Sequence, residues 1–153
     1  MTTTTISPAD PQPVLRAVAT GERVFGLPLE HGPLAPATAR HAAQPVLESW
    51  GLSEQQVYDL VLVISELVTN AVTYALPPVV LHLHATADDT GSVQVHVSDG
   101  GSQPATNAGG WAAHRPDGEH GRGEAIITTL ADRAGTDGDT DGLIDHWAAL
   151  DAA

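Results

Sequence analysis

Three short segments hold residue types that could do chemistry together. Glu66 and Asn70 stand four apart in Glu66-Leu67-Val68-Thr69-Asn70, a spacing that on a helix stacks the two side chains one turn apart on the same face. A carboxylate and an amide held this way can orient a water or hydroxyl and offer an oxygen to Mg2+, a hard cation. A solvated polar face is the plainer reading of the pair taken alone. Asp99-Gly100-Gly101 closes an alternating run in which Asp99 continues Val93, Val95 and Val97, so its carboxylate should point to the covered side of a sheet and require a donor. The exocyclic amine of an adenine would serve, and Gly101 would let a flat base approach the backbone. An Asp-Gly turn after a strand is otherwise commonplace. Gly121-Arg122-Gly123 precedes a helix predicted from about Glu124, and such a turn offers free N–H groups and a positive dipole end suited to phosphate. It lacks the longer glycine fingerprint that follows a strand in dinucleotide folds, so a hinge at a helix start reads equally well.

The elements that must position these groups follow from periodicity. Ser53 and Gln56 form a capping-box signature, and the helix they open should run to about Ala75, before Pro77 and Pro78. Val57, Leu60, Val61, Ile64, Val68, Ala71 and Ala75 recur at helical spacing and define its core face. An earlier helix is predicted over residues 37–50, kinked or late-starting because of Pro45, with Gly51 closing it in a left-handed conformation. Val79, Leu81, Leu83 and Ala85 alternate with polar positions, and after a turn near residues 89–91 Val93, Val95 and Val97 do the same, which reads as a hairpin with one buried face. Val24 to Leu29 is expected to be a short edge strand, since Pro28 does not suit a central one. Asp99 to Gly123 is a long glycine-rich connection; a helix from Ala125 to Arg133 and a closing strand from Leu143 to Leu150 follow. Residues 1–20 read as a flexible leader, and residues 21–153 as one domain. The order of elements implies an α+β two-layer sandwich, with helices on one face of a mostly antiparallel sheet.

Composition narrows the chemistry. The chain has 153 residues, the size of a single domain. No cysteine is present, so disulfides, zinc knuckles and thiol catalysis are excluded. Every one of the 6 basic residues is an arginine, against 19 acidic ones, and the net charge of −13 opposes binding to nucleic acid or anionic membranes. A polyphosphate would have to be held by backbone N–H groups, a metal or arginine. The Thr-rich start has neither a basic region nor an apolar core of the kind a signal peptide carries, and no apolar run is expected to reach the roughly 18 to 20 residues a membrane-spanning helix requires, so the expected location is the cytoplasm. His82, His84 and His96 could share one sheet face, but a zinc site there would want a further ligand and a fixed second shell.

In order and spacing, Glu66 to Asn70 with Ala71, Val97-Ser98-Asp99-Gly100-Gly101, and Gly121-Arg122-Gly123 resemble the three nucleotide-binding boxes of the histidine-kinase-like ATPases, the Bergerat fold. The likeness covers about residues 35–150 and is nearest to the small actinobacterial anti-sigma-factor serine kinases. It implies ATP and Mg2+ as cofactors, Glu66 as general base, and Asn70 as the Mg2+ ligand. It further implies that Asp99 recognises adenine, that Gly101 packs at the base, and that Gly121, Arg122 and Gly123 hold phosphates, with residues 102–120 as a lid. The implied activity is phosphorylation of a serine or threonine on a partner protein, with a sigma factor or anti-anti-sigma protein as the partner and a homodimer as the assembly. The alternative is a degenerate module of the same fold that acts by protein binding with little or no ATP turnover. Two departures bear on that choice. Glu124 stands where an apolar residue is usual, and Asp145, two before Trp147, is expected in the position of a supporting Thr beside Asp99, within the same pocket.

Overall fold

The computed structural model describes residues 14–17, 22–86, 92–103, 117–138 and 142–151. Among the described residues six strands form one sheet in the order β1-β2-β3-β4-β6-β5, every neighbouring pair antiparallel. The strands are β1 (Val14–Ala17), β2 (Arg23–Leu29), β3 (Val79–Ala85), β4 (Val93–Asp99), β5 (Arg133–Gly138) and β6 (Ile144–Leu150). Helices α1 (Ala35–Ser49), α2 (Glu54–Tyr74) and α3 (Asp117–Leu130) make the second layer. The result is the α+β two-layer sandwich read from the order of elements.

α2 is where local and tertiary preferences agree most fully. Ser53 Oγ accepts from the Gln56 N–H at 3.2 Å while Gln56 Oε1 accepts from the Ser53 N–H at 2.9 Å, so the expected capping box is complete. Val57, Leu60, Ile64, Val68, Ala71 and Ala75 are buried as predicted, and Val63, Leu67 and Val72 join them, because α1 covers one flank of α2 while the sheet lies beneath. Val61 is only half-buried. By length and composition α2 could cross a membrane, but half of its apolar window is buried inside this fold, which accounts for its character without a bilayer.

Below α2 the hairpin has the expected alternation. Val79, Leu81 and Leu83 of β3 and Val93, Val95 and Val97 of β4 are buried, with Leu81 opposite Val97 and Leu83 opposite Val95. The turn expected near residues 89–91 lies outside the described residues.

Several expectations are corrected. β2 is not an edge strand: β1, drawn from the stretch read as leader, pairs with it from Arg23 to Gly26. Among the described residues Pro28 lies beyond the stretch of β2 that pairs with β1. α1 starts at Ala35, not late, and runs through Pro45 to Ser49; Ala35, Ala39, Ala43 and Leu47 bury one face and hold it. Gly51 takes the left-handed conformation predicted for it, with φ 77°. α3 begins at Asp117, well before Glu124. It ends at Leu130, and Arg133 opens β5, a strand the sequence reading did not contain.

Candidate functional site

The C-terminal end of α2 is tied to the turn after β4. The Gly100 N–H donates to Leu76 O at 2.7 Å, the Leu76 N–H to Gly101 O at 2.8 Å and the Gln103 N–H to Tyr74 O at 2.9 Å. Gln103 Nε2 adds a bond to Ala75 O at 2.8 Å, and His31 Nε2 reaches the same oxygen at 2.8 Å. This clamp fixes Asp99 against the helix that carries Glu66 and Asn70. Two glycines make it possible. A Cβ on Gly100 would stand 2.2 Å from Pro77 O, and Gly101 has φ 92°, a region that L side chains rarely adopt.

Asp99 points to the helix-covered side as predicted and is only 1% exposed. Its Oδ1 accepts from the Gly101 N–H at 2.8 Å, closing an Asx-type turn. Its Oδ2 lies 2.9 Å from His146 Nε2, yet the ring is not aligned for a hydrogen bond, and this buried oxygen has no hydrogen-bond partner. An ionised carboxylate oxygen left so is costly, and native structures normally reserve such a group for a ligand, an ion or a water.

Asp99 lines a cavity of about 400 Å³ between α2 and the β4–β6–β5 end of the sheet. The size falls within the roughly 300–1,000 Å³ of small-molecule sites. Asn70, Ala71, Tyr74, Asp99, Glu124 and His146 are among the residues that line it. Clefts of about 340 and 460 Å³ elsewhere on α2 are comparable in size. A cavity of about 440 Å³ on the helix-free face of the sheet is lined by Asp145, whose Oδ1 also lacks a hydrogen-bond partner, but that side chain is 30% exposed, whereas Asp99 is almost fully buried and shares its cavity with Asn70.

Of the residues singled out in the sequence, Asn70 and Asp99 are brought together on the wall, and Glu124 is on its rim as an exposed residue. Glu66 is half-buried one turn before Asn70, so the pair does not lie on a fully solvated face. Gly101 is in the turn that caps Asp99. Gly121, Arg122 and Gly123 are helical residues of α3, not a turn before it. Glycine's low helix propensity opposes this, and the packing of Ile127 and Leu130 against the core offsets it. Of the expected lid, residues 104–116 lie outside the described residues.

The expectation for Asp145 is overturned by one residue of register. Ile144 pairs with Asp99 and Asp145 with Ser98, so Asp145 is on the helix-free face of the sheet. There its Oδ2 meets His96 Nδ1 at 2.7 Å. Trp147, from which that register is counted, also lies on the outer face, donates from Nε1 to Asp137 Oδ2 at 3.1 Å and covers Gly135. His146 is therefore the residue that faces the cavity, with Thr136 opposite it on β5. Both were missed; alternation counted back from the apolar Leu150 puts His146 on the same face. His82, His84 and His96 do share the outer face, His82 directly opposite His96. Among the described residues no group of three or more His, Cys, Asp or Glu side chains is arranged to hold a metal ion.

The sequence matches the family model of the histidine kinase-like ATPase domain over residues 32–143. No functionally curated protein matches it.

Proposed function

Because that match spans most of the chain, the protein belongs to the histidine kinase-like ATPase domain family, and we propose that it binds ATP with Mg2+ in the cavity under Asp99 and phosphorylates a partner protein. The observation that carries the proposal is the unpartnered Oδ2 of Asp99, buried at the wall of a cavity of about 400 Å³. An adenine amine entering the cavity would donate to that oxygen and relieve its desolvation.

Asn70, on the same wall, would give its amide oxygen to Mg2+, which protein sites commonly hold through one or two side chains together with substrate phosphates. The ion would supply the charge neutralisation that a chain without lysine lacks. Glu66, one turn earlier, would take the proton from a serine or threonine hydroxyl as that oxygen bonds to the γ-phosphorus and ADP leaves. Gly121, Arg122 and Gly123 would lie near the phosphates, but past the first four residues of α3 their backbone N–H groups are engaged within the helix, so the metal would carry the charge. The acceptor would be a sigma factor or anti-anti-sigma protein, the compartment the cytoplasm and the assembly a homodimer. Glu124 favours a second reading, since a carboxylate on the cavity rim opposes polyphosphate: a nucleotide-sensing module that binds its partner without transferring phosphate.

Transfer of labelled γ-phosphate tests the choice. Wild type should label its partner, and Glu66→Gln should retain ATP binding within about threefold while transfer falls by 10² or more, roughly the share of a general base. Transfer by the variant at the wild-type rate removes Glu66 from the role. Nucleotide binding with no transfer by either protein supports the second reading.

A further inference from the structure

We propose that His146 reads the nucleobase beside Asp99, so that the cavity selects a base presenting an amine next to an unprotonated ring nitrogen, as adenine does and hypoxanthine does not. The inference rests on the adenine-nucleotide reading of the cavity and adds a second recognition group to it.

The strand register sets the pair up. Ile144 lies opposite Asp99, and His146 lies opposite both Val97 on β4 and Thr136 on β5, so the imidazole projects from the covered face next to the Asp99 carboxylate. Asp99 is saturated at one oxygen only, Oδ1, by the Gly101 N–H at 2.8 Å. His146 Nδ1 is 3.3 Å from Thr136 Oγ1. With the threonine hydroxyl donating there, Nδ1 is the acceptor and the ring proton sits on Nε2. That Nε2–H is 2.9 Å from Asp99 Oδ2 without being aimed at it. His96 and Asp145 on the outer face show the other outcome, a hydrogen bond at 2.7 Å.

At the cavity wall an unfilled acceptor therefore stands beside a donor that is not spent on it. The adenine edge is complementary to this pair: its exocyclic N–H would donate to Asp99 Oδ2, and its N1 would accept from His146 Nε2. Hypoxanthine offers an acceptor where the carboxylate needs a donor, and a donor where the imidazole N–H needs an acceptor. Both mismatches would leave buried polar groups unpaired, the situation in which such sites discriminate most strongly.

The test is calorimetric titration of the whole chain with Mg2+ and three ligands: ATP, 1-deaza-ATP, which keeps the amine and replaces N1 by C–H, and ITP. Wild type should bind ATP about tenfold tighter than 1-deaza-ATP, the scale of one net hydrogen bond, and ITP weakest. His146→Leu should abolish the preference for ATP over 1-deaza-ATP, and His146→Gln, whose amide N–H can reach the Nε2 position, should restore part of it. Equal wild-type affinities for ATP and 1-deaza-ATP would overturn the role of His146 while leaving the nucleotide cavity standing, and that comparison needs no variant to fold. A His146→Leu protein that still prefers ATP would overturn it as well. A wild type that binds none of the three would overturn the cavity reading and this inference together.

Discussion

At the scale of single residues, the site depends on backbone that only glycine can supply. A methyl group on Gly100 would meet Pro77 O at 2.2 Å, and a backbone oxygen cannot swing aside as a side-chain end can. Gly100→Ala should lower stability by about 1–3 kcal/mol, as overpacking does, in urea unfolding, and should weaken nucleotide binding by loosening the turn that holds Asp99. An unchanged midpoint would show that the clamp yields freely. Asp145 leads to the opposite expectation. Because it faces away from the cavity and engages His96 at 2.7 Å, Asp145→Thr should leave ATP affinity unchanged; a gain would restore the register now corrected. On that outer face His82, whose ring lies over Gly26, is held below the imidazole value of 6.5 by burial and then by the nearby His96, against an upward pull from Asp145. The unfolded chain therefore takes up this proton more readily than the native one. The stabilising contribution is present above about pH 6.5 and declines as pH falls below it. His82→Gln should thus lose less stability than wild type between about pH 7.5 and 5.5, read from urea midpoints; equal losses would mean that His82 titrates normally.

At the scale of elements, α2 carries Glu66 and Asn70, and its N-terminal cap is distant from them in sequence. Ser53→Ala should cost about 1 kcal/mol of stability and leave ATP affinity alone, separating helix integrity from site chemistry. Loss of affinity without loss of stability would contradict that separation. The same contrast explains what was legible in the sequence. The capping box, the long apolar face of α2 and the alternation through Val93, Val95, Val97 and Asp99 each combine a local signal with the burial it predicts, so α2, β3, β4 and the inward Asp99 could be read directly. β5 could not: Arg-Ala-Gly-Thr-Asp-Gly has weak strand propensity and little burial, and it is a strand because β6 offers it an edge. β6 is expected from the sequence but one residue out of register, since Asp145 is set beside Asp99 by counting back two from Trp147. In the fold it lies on the outer face, where Gly135 leaves room for its ring. That single slip exchanged Asp145 for His146 at the site.

At the scale of the whole molecule, the charge balance constrains how an anion is held. The chain carries a net charge of −13 and no lysine, and both Asp99 and Glu124 face the cavity. A bare nucleotide tetra-anion should meet a repulsive field that Mg2+ offsets. Chelating the metal with EDTA should therefore weaken ATP binding by about tenfold or more, equivalent to roughly 1.4 kcal/mol; equal affinity with and without Mg2+ would mean that Asn70 contributes no metal ligand. The central claim is narrower: the buried carboxylate of Asp99 receives the base. The most direct measurement is calorimetric titration of ATP and Mg2+ into wild type and Asp99→Asn, a change that keeps shape while replacing a carboxylate acceptor by an amide. The expected result is one site per chain in wild type and an affinity at least about tenfold lower in the variant, since hydrogen bonds to charged groups contribute about 1.5–3 kcal/mol. Equal affinities, or a wild type that binds no nucleotide, would contradict it.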